Sequence, residues 1–187
     1  MKNIPAIITD VENFKENHLL ISIYSNYYGK KKLIVFGGKC LNSSLIQSYN
    51  WFMYDKYRLK TIDYICFLIS KLLFLQDDTS KVIDYYSSLV FKMNKGENYL
   101  SELMLLELEI LKSSGYQPDL NESVLLKIFK NHKKMSFVNN EEIIVNLNGN
   151  SELQFLFFDF LGRVISRVLI NLHIHLPFSR NDTVKRD

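Results

Sequence analysis

The sequence predicts an α+β protein in which a small five-stranded β-barrel is followed by a helical domain. Three observations carry that expectation. The first 65 residues are short runs of β-branched and aromatic side chains separated by Asn, Gly, Ser and charged groups. Beyond about residue 65 the apolar period lengthens to that of helices. With 187 residues, 47% of them hydrophobic, the chain can bury a substantial core.

The five expected strands are 4–10, 18–25, 31–36, 49–56 and 59–64. Between the second and third, Asn26 and Gly29 bracket Tyr27 and Tyr28 in a hairpin turn, and both are residue types that accept the positive φ such turns need. Alternation along the third strand places Lys31, Leu33 and Val35 on one face, with Lys30, Lys32, Ile34 and Phe36 on the other. The barrel is expected to occupy 1–66 as a nucleic-acid-binding domain, and the helical domain 67–187.

In the helical part, "DDTSKVIDYYSSLVFKM" sets Val82, Tyr86, Leu89, Val90 and Met93 on one stripe behind Asp78 as N-cap. The next helix buries Leu100, Met104, Leu108 and Leu111. It ends at Gly115, a left-handed cap, with Pro118 beyond it. Glu97, Glu102, Glu107 and Glu109 read as its solvated side. A third helix over 122–130 precedes a hairpin near 135–146. The last helix, 151–172, carries Leu153, Phe157, Leu161, Val164 and Val168 toward the core, with Asp159, Arg163 and Arg167 on another face.

Several classes of function are set aside. Two cysteines, Cys40 and Cys66, cannot build a four-ligand zinc site, and Cys66 lies in an apolar run typical of a buried thiol in a reducing, cytoplasmic compartment. No apolar run reaches the roughly 18 residues of a membrane span, and the first residues lack a signal-peptide pattern, so neither secretion nor a membrane partner is expected. Phosphate-loop, dinucleotide and nucleophile-elbow motifs are absent. His173 and His175 are spaced for a metal but have no carboxylate or third histidine near them in sequence, and read as polar residues at a helix end. No catalytic residue, metal ligand or cofactor is assigned.

Charge carries more information. Residues 1–60 hold nine basic and four acidic side chains, net +5, which leaves −2 for the rest of a chain of net charge +3. Lys30, Lys31 and Lys32 stand at a strand entrance, Lys39 follows Gly37-Gly38, and Lys56, Arg58 and Lys60 cluster further on. Basic side chains tracking phosphates beside exposed aromatic rings are the recipe for single-stranded nucleic acid. Tyr27 and Tyr28, at a turn, are the stacking candidates, whereas Trp51 with Met53 belongs to the core. The nucleic-acid site is therefore read as Lys30, Lys31, Lys32, Lys39, Arg58, Lys60, Tyr27 and Tyr28. Gly37 and Gly38 either let the backbone approach a phosphate or end the strand.

The order of motifs resembles the RecO family of bacterial recombination mediators. Glu16, Leu19 or Leu20, Ser25, Gly29 and Lys30 fit its first motif, and Gly37 and Lys39 its K-G-[AV]-[RK] element. Glu107, Leu108, Leu111, Gly115, Tyr116, Asp119 and Leu120 fit its F-E-L-x-L-L-x-x-L-G-Y-x-x-D-L helix, and Ser179-Arg180 its ending. Phe36 stands where a lysine is common. The cysteines many members carry after the helix motif are replaced by Asn121 to Ser123, so no zinc ribbon is expected. The resemblance implies an OB-fold barrel that binds single- and double-stranded DNA. It also implies strand annealing, and cooperation with RecR and single-stranded-DNA-binding protein to load RecA, without catalysis. A protein adaptor docking partners on its helical half, with Arg163 and Arg167 facing an acidic peptide, is the alternative.

Overall fold

The computed structural model describes residues 4–36, 55–74, 80–120, 147, 150–177 and 179–184. Two compact units divide the chain: Met1–Ile83 with Phe178–Asp187, and Asp84–Pro177.

The first unit begins with an antiparallel meander, β1 (Ile7–Phe14), β2 (His18–Ser25) and β3 (Gly29–Val35), in spatial order β1-β2-β3. At the β2–β3 turn Ser25 pairs with Gly29, whose φ of 62° only glycine takes without penalty. Asn26 is not in that region. Its side chain instead donates to the Ser80 carbonyl at 2.6 Å. Pairing of Lys31 with Ile23, Leu33 with Ile21 and Val35 with Leu19 gives the two-face alternation read from the sequence. A register shift between Ile8 and Asp10 marks a bulge, and Thr9 Oγ1 donates to the Ser22 carbonyl there.

The run expected as a fifth strand, 59–64, is helical. It lies inside α1 (Lys56–Leu72), whose N-cap Asp55 accepts hydrogen bonds from the Tyr57 and Arg58 amides at 3.0 and 3.2 Å. Buried Thr61, Ile65, Leu68 and Leu72, with Ile62, Cys66 and Ile69 beside them, repeat every three to four residues. That period over 17 residues overrides the strand preference of the β-branched and aromatic side chains. The expected fourth strand, 49–56, lies outside the described residues up to 54, and its end is the cap and first residue of α1. Among the described residues the sheet is thus three-stranded and open, and the expected five-stranded barrel is not seen there. The division expected between 66 and 67 falls in the middle of α1.

α1 packs against β1 and against a short 3-10 helix, Arg180–Thr183, at the C-terminal end. The core of this unit is Ile7, Tyr24, Ile65, Leu68, Ile69 and Leu72. Complete burial of a side chain such as Leu68 contributes about 1.5–3 kcal/mol.

Of α2 (Val82–Lys95), all but its first two residues lie in the second unit, with α3 (Leu100–Ser113) and α4 (Ser151–Asn171). Asp78 lies outside the described residues, and it is Ser80 Oγ that accepts from the Val82 amide at the head of α2. The expected stripes hold: Val82, Leu89 and Met93 are buried in α2, and Leu100, Met104, Leu108 and Leu111 in α3. Leu153, Phe157, Leu161 and Val168 are buried in α4. α3 goes further, burying residues around its whole circumference, and the solvated acidic side read from the sequence is corrected. Glu97 is exposed as expected, but Glu107 and Glu109 are buried, and Glu102 is half-buried with its Oε1 2.7 Å from Lys92 Nζ. α3 packs on α4, where Gln154 Nε2 donates to Ser101 Oγ at 3.3 Å.

α3 ends as the sequence predicts. Gly115 has φ 81°, the Tyr116 amide donates to the Leu111 carbonyl at 2.7 Å, and the Gly115 amide donates to Lys112 at 3.0 Å. The helix expected at 122–130 and the hairpin near 135–146 lie outside the described residues.

Candidate nucleic-acid interface

The β2–β3 hairpin presents three lysines in sequence, and the structure separates them. Lys30 shares its sheet face with Tyr24 and points toward the end of α1, donating from Nζ to the Ser70 carbonyl at 2.7 Å. Its ammonium also lies 5.4 Å from the Phe74 ring centre. Carbonyls in the last turn of a helix have no intrahelical partner and carry the negative end of its dipole, so a cation there is favoured. Lys30 is a tie between sheet and helix.

Lys31 projects from the opposite face, exposed and without a charged partner among the described residues. Lys32 is exposed as well, its Nζ 3.4 Å from Glu12 Oε1, with more than half of each side chain in solvent. Such a pair contributes ~0–1 kcal/mol and exchanges readily. At the tip, Tyr27 and Tyr28 are 47% and 58% exposed. The Tyr28 amide is held by Ser25 Oγ at 3.1 Å, which fixes the turn that displays the rings.

The second basic cluster sits at the start of α1. Arg58 Nε is 2.8 Å from Asp55 Oδ2, a contact of charge without an aligned hydrogen bond. Lys60 Nζ is 2.6 Å from Asp182 Oδ2 in the C-terminal 3-10 helix. The hydrogen bond from Lys60, aided by the charges of Lys60 and Lys56, holds the Asp182 carboxyl below its ordinary range despite some desolvation. Lys56, one turn before Lys60, is exposed.

Of the six basic residues read as the site, Lys31 and Lys32 thus face solvent together with the two tyrosines. Lys30, Arg58 and Lys60 have partners within the fold, and Lys39 lies outside the described residues. Trp51, Met53, Gly37 and Gly38 are outside them too. Sequence reasoning missed Ser70, Glu12 and Asp182, the groups that occupy the lysines.

His173 takes φ 56° just past α4, where the Ile174 amide donates to Leu169 at 2.8 Å, so it closes a helix end. Among the described residues no group of three His, Cys, Asp or Glu is placed to hold a metal. On α4, Arg163 and Arg167 are exposed along one side with Leu156 and Ile170.

Residues 53–135 match the family model described as recombination protein O C terminal. That segment, under half of the chain, is similar to the C-terminal part of RecO proteins. The matched segment contains α1, α2 and α3 and ends beyond the Gly115-Tyr116 turn, so the RecO helix motif lies within it, while the β1–β3 sheet precedes it. No curated protein and no solved structure matches the chain. Among the described residues no helix is long and apolar enough to cross a membrane.

Proposed function

We propose that this chain is a RecO-like, cytoplasmic, nucleoid-associated recombination mediator that binds single- and double-stranded DNA and anneals complementary strands. In this reading it acts with RecR and single-stranded-DNA-binding protein to load RecA, and carries out no catalysis itself. The observation that carries the DNA-binding step is that one hairpin exposes Lys31 and Lys32, on opposite faces of β3, together with the rings of Tyr27 and Tyr28 at its tip. Phosphates meet ammonium groups and unpaired bases meet aromatic faces, a combination that tolerates any sequence. We read β1–β3 as the opening strands of an OB-type barrel, with Lys39 a further phosphate contact beyond its third strand.

The test is binding of a fluorescent oligonucleotide across salt concentrations. Each phosphate neutralised adds roughly 0.7–0.9 to the logarithmic slope. Lys31→Ala with Lys32→Ala is expected to flatten that slope by about 1.4–1.8 for two lost contacts. A slope unchanged by the double substitution rejects the site. A strand-annealing assay, with and without DNA coated by single-stranded-DNA-binding protein, separates a mediator from a passive DNA binder.

An adaptor role on the helical half is the second reading, supported by the exposed Arg163, Arg167, Leu156 and Ile170 on α4. An acidic peptide with an apolar end, such as the tail of single-stranded-DNA-binding protein, suits that stripe. Peptide binding lost in Arg163→Glu, with no DNA binding by the unaltered chain, favours it over the first reading.

A further inference from the structure

α1 and the C-terminal turn meet through two kinds of contact that differ in depth. The buried contacts include hydrogen bonds between neutral groups, beside the buried Arg180. Thr61 Oγ1 is 2.7 Å from the Thr183 carbonyl and 2.8 Å from that of Tyr57, its one proton serving either, and Thr183 Oγ1 donates to the Arg180 carbonyl at 2.7 Å. Ser179 Oγ accepts from the Asn181 amide, capping the turn. The charged contact lies at the surface: Lys60 Nζ to Asp182 Oδ2 at 2.6 Å, with 29% and 47% of the two side chains exposed. The backbone of the turn is therefore held independently of the ion pair. The Lys60 ammonium can change partner while the turn stays docked.

The helical register sets Lys56 and Lys60 one turn apart on the same side of α1, and the carboxylate of Asp182 touches Lys60. A polyanion presents several phosphates where Asp182 presents one carboxylate, and it gains from the counterions it sheds. The ion pair is partly exposed, so phosphate can reach the Lys60 ammonium while the carboxylate competes for it.

We propose that Asp182 is a built-in competitor for nucleic-acid phosphate at Lys60, so that the C-terminal turn keeps part of the basic face of α1 occupied until DNA displaces the carboxylate. This rests on the DNA-binding reading above, and adds to the β2–β3 hairpin a second contact surface that is attenuated from within.

The experiment compares the unaltered chain, Asp182→Asn, Lys60→Ala and the double variant in salt-titrated oligonucleotide binding, with circular dichroism as the check on folding. Asp182→Asn is expected to bind roughly threefold to tenfold tighter and to steepen the salt slope by about 0.7–0.9, one additional phosphate contact. Lys60→Ala alone is expected to change affinity less than twofold, and to abolish the gain when combined with Asp182→Asn. Acetylation of surface lysines, read by mass spectrometry on the free proteins, is expected to show Lys60 slower than Lys56 in the unaltered chain and equal to it in Asp182→Asn. Unchanged affinity in Asp182→Asn while the unaltered chain binds DNA overturns the competition and leaves DNA binding standing. A large loss in Lys60→Ala alone overturns it as well. Absence of DNA binding in every variant removes the underlying reading and the competition with it. Should Asp182→Asn fail to fold, Asp182→Ser is used in the same comparison.

Discussion

The Nζ atom of Lys30 donates to the carbonyl oxygen of Ser70 at 2.7 Å, joining the first lysine of the KKK run to the last turn of α1 across 40 residues of sequence. Lys31 has no charged partner among the described residues, and Lys32 makes only an exposed pair with Glu12 at 3.4 Å. Three adjacent lysines therefore divide into one that holds the fold and two that face solvent, and the following expectations turn on that kind of division.

Lys30→Ala should lower stability by about 1–2 kcal/mol, because a half-buried, charge-assisted hydrogen bond and a cation–π contact disappear together. Its effect on the salt slope of DNA binding should be near zero. Lys31→Ala should show the reverse pattern. Thermal unfolding and oligonucleotide titration on the same two preparations check both halves.

Asp55→Ala removes the side chain that accepts from the Tyr57 and Arg58 amides, and should cost about 0.5–2 kcal/mol. The same change also releases Arg58 from its charge contact. If 56–72 were strand and turn, neither the loss of stability nor loss of helical circular dichroism would follow.

Gly115→Ala should destabilise by about 1–2 kcal/mol for conformational reasons alone. A Cβ at this position meets nothing within 4 Å, so the cost is that of holding an L-residue at φ 81°. Gly115→Asn should lose less, since Asn tolerates the left-handed region better. Denaturant midpoints of the two variants rank them.

The pH dependence of stability should carry the mark of Asp182. Its carboxyl is held below the ordinary value by the Lys60 hydrogen bond, so the folded chain binds fewer protons than the unfolded one just below pH 4. The contribution is complete above the unfolded value of 3.8 and is lost as pH falls through the lower folded value. Asp182→Asn should flatten the stability profile in that acid window and leave its shape near neutrality unchanged. Urea titrations at a series of acidic pH values measure it.

Much of the chain could be read locally. The hairpin ending at Gly29, the alternation along β3, the apolar stripes of α2, α3 and α4 and the cap at Gly115 all follow from spacing and residue type within a few positions. The RecO motif around Gly115 and Tyr116 has the same local character, and the family match covers it. The fifth strand was misread because "RLKTIDYICFLIS" combines strand-favouring side chains with a helical period, and period over a long capped segment is the stronger term. The buried faces of Glu107 and Glu109 were hidden for a related reason: amphipathicity assumes one solvated side, whereas α3 is buried around its whole circumference.

By itself the sequence determined the element types wherever the pattern was unambiguous, the basic character of the first 60 residues and the similarity of residues 53–135 to the RecO C-terminal part. The tertiary structure alone decided which cations remain available. A charge is spent or kept according to what lies within about 3 Å of it, and the partners here are remote in sequence: Ser70 for Lys30, and Asp182, 122 residues away, for Lys60. Composition counts the lysines. Only the packing of α1 against the sheet and the C-terminal turn assigns Lys30 and Lys60 partners within the fold and leaves Lys31 to the solvent.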